Sequence, residues 1–292
     1  MIDNDIYCEI GPSDFSSFDS SRLNLFTVFS AYKDYKFNYQ KYFDMMIKSL
    51  FISNKNEKIN FIIINNELSE PVIKEILYKY SNLIQNSEIS IYLLKDKYFK
   101  VYSDKLTTDG WNESILYRLF ICHLFKNISK ILYLDVDTLI VSSLPKMIDK
   151  FNVDNYLFLG FKDIDDEAIV PYINSGVLII NLSKMRDKYK TPEDVIKRYI
   201  EINCSQDQIF INADETAIVN DIIYNFPMIY SRYTLLFSQN KLIRLKTASL
   251  ARKAKIFHFY PKEDYKPFKG LFDIMRENSP IFKECFIEDT FD

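Results

Sequence analysis

The 292 residues are 48% hydrophobic and 16% aromatic, enough apolar material for one large core, and a formal net charge of −3 leaves no basic footprint for nucleic acid. Cys8, Cys122, Cys204 and Cys285 lie far apart and argue against a structural zinc site or a disulfide framework. The five glycines, Gly11, Gly110, Gly160, Gly176 and Gly270, are too dispersed for a glycine-rich phosphate cradle, so something else must neutralise any bound diphosphate.

In chain order, residues 11–24, GPSDFSSFDSSRLN, are rich in Ser and Asp, and residues 1–24 are expected to form a polar arm. LFTVFSA (25–31) predicts the first buried strand. YQKYFDMMIKSLF (39–51) has helical spacing, with Tyr42, Met45, Met46, Ser49 and Leu50 along one side. INFIIINN (59–66) and ISIYLLK (89–95) predict two further strands. Between them SEPVIKEILYKYSNL (69–83) predicts a helix capped by Ser69, with Pro71 in its first turn. NESILYRLFICHLF (112–125) is a helix that runs straight into KILYLDVD. YLFLGF (156–161), SGVLIINL (175–182) and AKIFHFY (254–260) are strands, and TPEDVIKRYIEI (191–202) is a helix with Thr191 as cap. Alternating strands and helices with continuously apolar strands predict a single α/β domain with a mostly parallel sheet covered on both faces, over 25–270, followed by a tail, 271–292. No apolar run approaches the roughly 20 residues of a membrane span, and the acidic start lacks signal-peptide order. A cytoplasmic protein is expected, with peripheral membrane association and a homodimer left open.

Three Asp-x-Asp triplets occur, Asp3/Asp5, Asp135/Asp137 and Asp163/Asp165, and setting distinguishes the second. It ends a buried apolar run, where residues i and i+2 of an extended chain point to the same side. That position is the edge at which open α/β sheets bind ligands. Adjacent carboxylates repel unless a cation lies between them, and Mn²⁺ or Mg²⁺ accepts such oxygens while keeping sites for phosphate. A solvated turn is the plainer reading of the triplet alone.

ILYLDVDTLIVSSL resembles the donor-site segment of family 8 glycosyltransferases, and further motifs follow in that family's order. NYQKYFDMMIKSL (38–50) resembles its uridine-contacting segment, ILYRLF (115–120) the helix carrying its donor-site Arg, and YINSGVLIINL (172–182) its F-N-A-G-V-L-L-I-N stretch. QDQIFIN (206–212) is similar to its D-Q-x-x-x-N motif, and HFYPKEDYKPF (258–268) to its H-x-x-G-x-x-K-P-W, with Pro261 in place of Gly and Phe268 in place of Trp. The resemblance implies a single-domain GT-A fold with a mixed sheet. It also implies Mn²⁺-dependent transfer of a hexose from a UDP-sugar, of UDP-glucose or UDP-galactose type, with retention. The acceptor would be a glycan, a lipid-linked sugar or a protein.

The same resemblance implies roles for individual residues. Asp135, Asp137 and His258 would be the metal ligands, although His258 by spacing alone is a half-buried strand residue. Ala31, Tyr32, Asn38 and Tyr39 would lie on the uridine side, and Lys266 would meet the diphosphate. Arg118, Asn174, Gly176 and Val136 would line the donor; taken alone Arg118 could be a helix-surface charge with a buried stem, and the motif around it favours the donor-sugar role. Asp207 and Gln208 would lie at the sugar, Gln208 facing the anomeric carbon, with Asp163 as a further acid. Gln208 is a feeble nucleophile, which favours a front-face displacement over a covalent intermediate. The rivals are a nucleotidyltransferase, which usually brings the missing glycine-rich loop, and a catalytically silent UDP-sugar-binding module.

Overall fold

The computed structural model describes residues 6–11, 14, 18–19, 21–30, 39–108, 112–162, 173–205, 207–213, 216–219, 228–230, 254–259, 276–277 and 279–285. Strands β1 (Cys8–Ile10), β2 (Leu23–Phe29), β3 (Ile59–Asn65), β4 (Ile89–Lys95), β5 (Lys130–Leu134), β7 (Phe158–Lys162), β8 (Ile173–Asn181) and β9 (Thr216–Val219) form one sheet, ordered β1-β4-β3-β2-β5-β8-β7-β9. β8 runs antiparallel to both its neighbours, and all other pairings in this sheet are parallel. A small second sheet, β10 (Met228–Tyr230), β11 (Ile256–His258) and β6 (Thr138–Ile140), pairs β11 parallel to β10 and antiparallel to β6.

Why the central strands form follows from their side chains. Every residue of β3, INFIIIN, is buried, and β-branched residues fit a pleated surface covered on both sides. Alternate residues feed two cores. Leu25, Phe61, Ile63, Leu93, Leu132, Leu134 and Ile179 meet helices α1 (Tyr39–Asn54), α2 (Glu70–Lys79), α3 (Ser81–Gln85) and α6 (Leu144–Ile148). Phe26, Ile62, Ile64, Leu94, Ile131, Tyr133 and Ile180 meet α4 (Lys97–Ser103), α5 (Tyr117–Leu124), α7 (Leu182–Lys188), α8 (Pro192–Glu201) and α9 (Asp207–Ala213). Each fully buried Leu, Ile or Phe contributes about 1.5–3 kcal/mol relative to exposure, so the sheet is held from both faces.

Local differences from expectation have local causes. The segment 69–83 is two helices, because Tyr80 leaves helical geometry between α2 and α3 (φ −105°, ψ 17°). Ser69 does not cap by side chain: its hydroxyl accepts from Asn66 N at 3.0 Å and donates to Asn66 O at 3.2 Å, closing a turn ahead of α2. The 112–125 helix opens as a 3-10 turn, Glu113–Leu116, capped by Asn112 Oδ1 on Ser114 N at 2.8 Å. Thr191 forms a full capping box with Asp194, as its motif predicts. The region read as an arm contributes β1 to the sheet edge and opens β2 at Leu23, and the region read as a tail carries α10 (Pro280–Cys285). Among the described residues no helix is long and apolar enough to cross a membrane.

The order of strands positions the site. From β2 the chain builds outward through β3 and β4 on one side and restarts with β5 on the other. Parallel α/β sheets open a crevice at such a reversal, at the carboxyl ends of the two strands, here just beyond Phe29 and Leu134.

Candidate metal centre

Asp135 is the first residue beyond β5, and its backbone N still donates to Gly176 O of β8 at 2.8 Å. The chain then turns. Thr138 Oγ1 donates to Asp135 O at 2.8 Å, closing the turn, and Phe259 N donates to Asp137 O at 2.8 Å. Val136, between the two acids, is buried in the core. β6 then pairs with β11 in a register that sets Thr138 opposite His258. The other edge of β6 meets a helix: Ile140 N donates to Ser49 Oγ of α1 at 3.0 Å. A closed turn, rather than a continuing extended strand, aims the two acids at one point.

That point holds three ligand-type side chains. One oxygen each from Asp135 and Asp137 and a ring nitrogen of His258 lie within 4.8 Å of one another. His258 Nε2 is 3.5 Å from Asp135 Oδ2 and 3.1 Å from Asp137 Oδ1. Asp137 Oδ1 is buried without a hydrogen bond of good geometry. Gly176 leaves the room for this. A Cβ there would lie 2.5 Å from His258 Nε2 and 2.6 Å from Asp135 Oδ2, well inside contact distance. Gly176 comes so close because the β5–β8 ladder continues past Leu134↔Val177 to Asp135, while against β7 the pairing jumps from Gly160↔Leu178 to Phe161↔Asn174. Residues 175–177 thus stand out of that ladder, as bulges next to ligand sites do.

The three groups set one another's charge. Burial favours the neutral form of Asp135, but the Arg118 guanidinium and His258 outweigh it and hold the carboxyl down to about 2. Burial pushes the Asp137 carboxyl up, with His258 opposing and Asp135 adding to the rise. Burial disfavours the His258 imidazolium, yet the charges of Asp137 and Asp135 lift it to about 10. The protonated imidazole therefore serves as the local counter-cation. A divalent ion fits the same donors, since two carboxylate oxygens and an imidazole suit an ion such as Mn²⁺ and the buried Asp137 Oδ1 meets the imidazole at 3.1 Å without a well-formed hydrogen bond. Such binding would displace the imidazolium proton.

Arg118 is buried at the edge of this cluster. Its Nε donates to Ile115 O at 3.0 Å and its Nη1 to Ser175 O. Its Nη2 is 3.6 Å from Asp135 Oδ1, and its Cζ lies 4.1 Å from the Tyr133 ring centre. Tyr133 donates its hydroxyl to Asp135 Oδ1. Tyr39, at the start of α1, has its ring centre 6.3 Å from that of Tyr42, which lies 6.4 Å from that of Phe259, next to His258. Asn174 lies in β8, and Asp207 and Gln208 open α9. α9 is fastened to β8 by Asn212, whose Oδ1 accepts from Ile173 N at 3.0 Å and whose Nδ2 donates to Ile173 O at 3.3 Å. Ala31, Tyr32, Asn38, Asp163 and Lys266 lie outside the described residues.

Sequence reading alone missed Tyr133, Thr138, Ser175 and Asn212 as parts of the site. Tyr133 had a usable signal, since it precedes Asp135 by two residues and an extended chain puts both on one side. Ser175 acts through its backbone carbonyl and carries no such signal.

A family model described as glycosyl transferase family 8 matches residues 31–270. A Haemophilus influenzae protein provisionally described as a glycosyltransferase is 28% identical over 196 residues, covering 60% of this chain and 56% of that protein. The lipopolysaccharide 1,2-glucosyltransferase of Escherichia coli K12 is 21% identical over 228 residues, 72% of this chain and 63% of that one. The chain thus spans 56–63% of the length of these curated relatives. Among solved structures, the apo bifunctional glycosyltransferase WbbM superposes with TM-score 0.62 at 17% identity, over 92% of this chain and 52% of its own. The galactosyltransferase LgtC, solved with donor and acceptor sugar analogues, superposes with TM-score 0.57 at 18% identity, over 88% of this chain and 96% of its own. The fold is therefore the GT-A type, an α/β domain with a mostly parallel mixed sheet.

Proposed function

The chain belongs to glycosyltransferase family 8, and from that premise we propose that it is a metal-dependent, retaining hexosyltransferase. Its donor is a UDP-hexose of the glucose or galactose type, and its acceptor a glycan, a lipid-linked sugar or a protein. The convergence of Asp135, Asp137 and His258 beside Gly176, at the reversal of strand order, carries this reading. The sugar acceptors named or implied by the descriptions of the Escherichia coli relative and of the LgtC complex support it.

When bound, Mn²⁺, or Mg²⁺ in its place, supplies the positive charge that neutralises the donor's diphosphate and the developing leaving group. The chain has no glycine-rich cradle to do so. Asp135, Asp137 and His258 would hold the ion, and the room at Gly176 and the burial of Val136 keep that turn in place. Tyr39, with Ala31, Tyr32 and Asn38, takes the uridine side. Lys266 meets the diphosphate, and Arg118 and Asn174 lie toward the sugar. Gln208 faces the anomeric carbon, with Asp207 and Asp163 as flanking acids. An amide is a poor nucleophile, so the acceptor attacks on the face the diphosphate leaves, and configuration is retained without a covalent intermediate.

The test is release of UDP from UDP-glucose, UDP-galactose and their N-acetyl forms, with Mn²⁺ and with a chelator. Mn²⁺-dependent release is expected from one donor, and Asp137→Ala should lower it roughly 10²–10³-fold, the usual scale for losing a major electrostatic contact. Full metal-dependent transfer by Asp137→Ala would refute the metal assignment. Pyrophosphate exchange in place of UDP release would identify a nucleotidyltransferase, and equal thermal stabilisation by UDP with and without Mn²⁺ a silent binding module.

A further inference from the structure

We propose that Tyr133 is a positioning residue for this reaction: its hydroxyl holds one oxygen of Asp135 aside so that the other is presented to the metal position. The inference rests on the family reading above and adds a residue to it. The two oxygens of Asp135 have different company. Oδ1 receives the Tyr133 hydroxyl and faces Arg118 Nη2 at 3.6 Å, whereas Oδ2 faces His258 Nε2 at 3.5 Å. At 3.6 Å the guanidinium is beyond hydrogen-bond distance, so it supplies charge without direction. Direction comes from the hydroxyl.

The ring that carries this hydroxyl is held in place by its packing. It is 2% exposed, with its centre 4.7 Å from that of Phe26 on β2 and 4.1 Å from the Arg118 guanidinium carbon. Arg118 is in turn tied to Ile115 O and Ser175 O. Without the hydroxyl, Asp135 can rotate about its last bond and turn Oδ2 toward Arg118 Nη2, a charge-assisted contact. Oδ2 would then leave the cluster. Groups that orient a metal ligand typically account for about 10–100-fold in metal affinity.

The experiment is Mn²⁺ titration of the full chain by calorimetry without donor, alongside kcat and the KM for Mn²⁺ in UDP release. Tyr133→Phe keeps the ring and removes the hydroxyl. Its Kd for Mn²⁺ should rise roughly 10–100-fold, with KM for Mn²⁺ rising in parallel and kcat at saturating Mn²⁺ within about 3-fold of wild type. Phe26→Leu loosens the same packing but keeps the hydroxyl, so its Kd should stay within about 3-fold even if its Tm falls. A wild-type Kd in Tyr133→Phe, or an equal loss in Phe26→Leu, would overturn the inference and leave the family reading standing. A wild-type protein that binds no Mn²⁺ would bring down both.

Discussion

A single methyl group decides whether the three ligands can meet, because Gly176 faces His258 and Asp135 with no side chain of its own. Gly176→Ala should displace the imidazole, the acids or the β8 backbone. Mn²⁺ binding by calorimetry should weaken at least roughly 10-fold, since ligands must stand within a few tenths of an ångström of their places. Restoring volume elsewhere cannot compensate, because the contacts are with the ligands themselves. Glu70 illustrates a different kind of residue, one that sets pH dependence. It lies 2.6 Å from Lys74 and also pairs with Lys95, and hydrogen bonds from both hold its carboxyl below the ordinary 4.5. A carboxyl lowered in the folded state contributes stability that is present above 4.5 and lost as pH falls through its lower folded value. Glu70→Gln should therefore lower Tm by up to roughly 4 °C near neutrality and by progressively less toward pH 3, a modest effect because the pair is partly solvated.

Between elements, α1 is fastened to the chain that leaves the acid pair. Asn54 is buried, donates to Ser142 O at 3.2 Å and accepts from Leu144 N at 2.7 Å, while Ser49 accepts from Ile140 N at 3.0 Å. Asn54→Ala strands a buried donor and an acceptor, and urea denaturation should show a loss of about 1–3 kcal/mol with an unchanged m-value. How much of this could be read beforehand depended on whether the determinant was local. β3 and β4 are continuous apolar runs and declare themselves, as does the Thr191 cap. β11 falls within the predicted strand AKIFHFY, whereas β10, three residues long, exists because it pairs with β11, and no local pattern marks so short a strand. The break at Tyr80 was hidden because apolar spacing continues through it. At the site, the acid pair was visible as carboxylates ending a buried strand. His258 by spacing alone looked like an ordinary strand residue, and the family resemblance, not periodicity, singled it out. Asn212 sat within a quoted motif, but its bonds to Ile173 needed the fold.

For the molecule as a whole, the two faces of one sheet carry separate cores, and the strand-order reversal at β2 and β5 leaves the crevice between them. The candidate ligands come from distant parts of the chain: Asp135 and Asp137 follow β5, whereas His258 arrives about 120 residues later and is placed by β11 pairing with β6. Ribosomes add about 5–20 residues per second, so a nascent chain carries the acid pair for roughly 6–24 seconds before its imidazole exists. During that interval the acids have the Arg118 guanidinium beside Asp135 but lack the imidazole that completes the cluster. In refolding, Mn²⁺ uptake should lag the recovery of far-UV circular dichroism, and simultaneous recovery would mean that the acids capture the ion first. With such a lag, acquisition of the proposed ion would mark the end of folding, making the loaded ion a certificate that the late segment has docked.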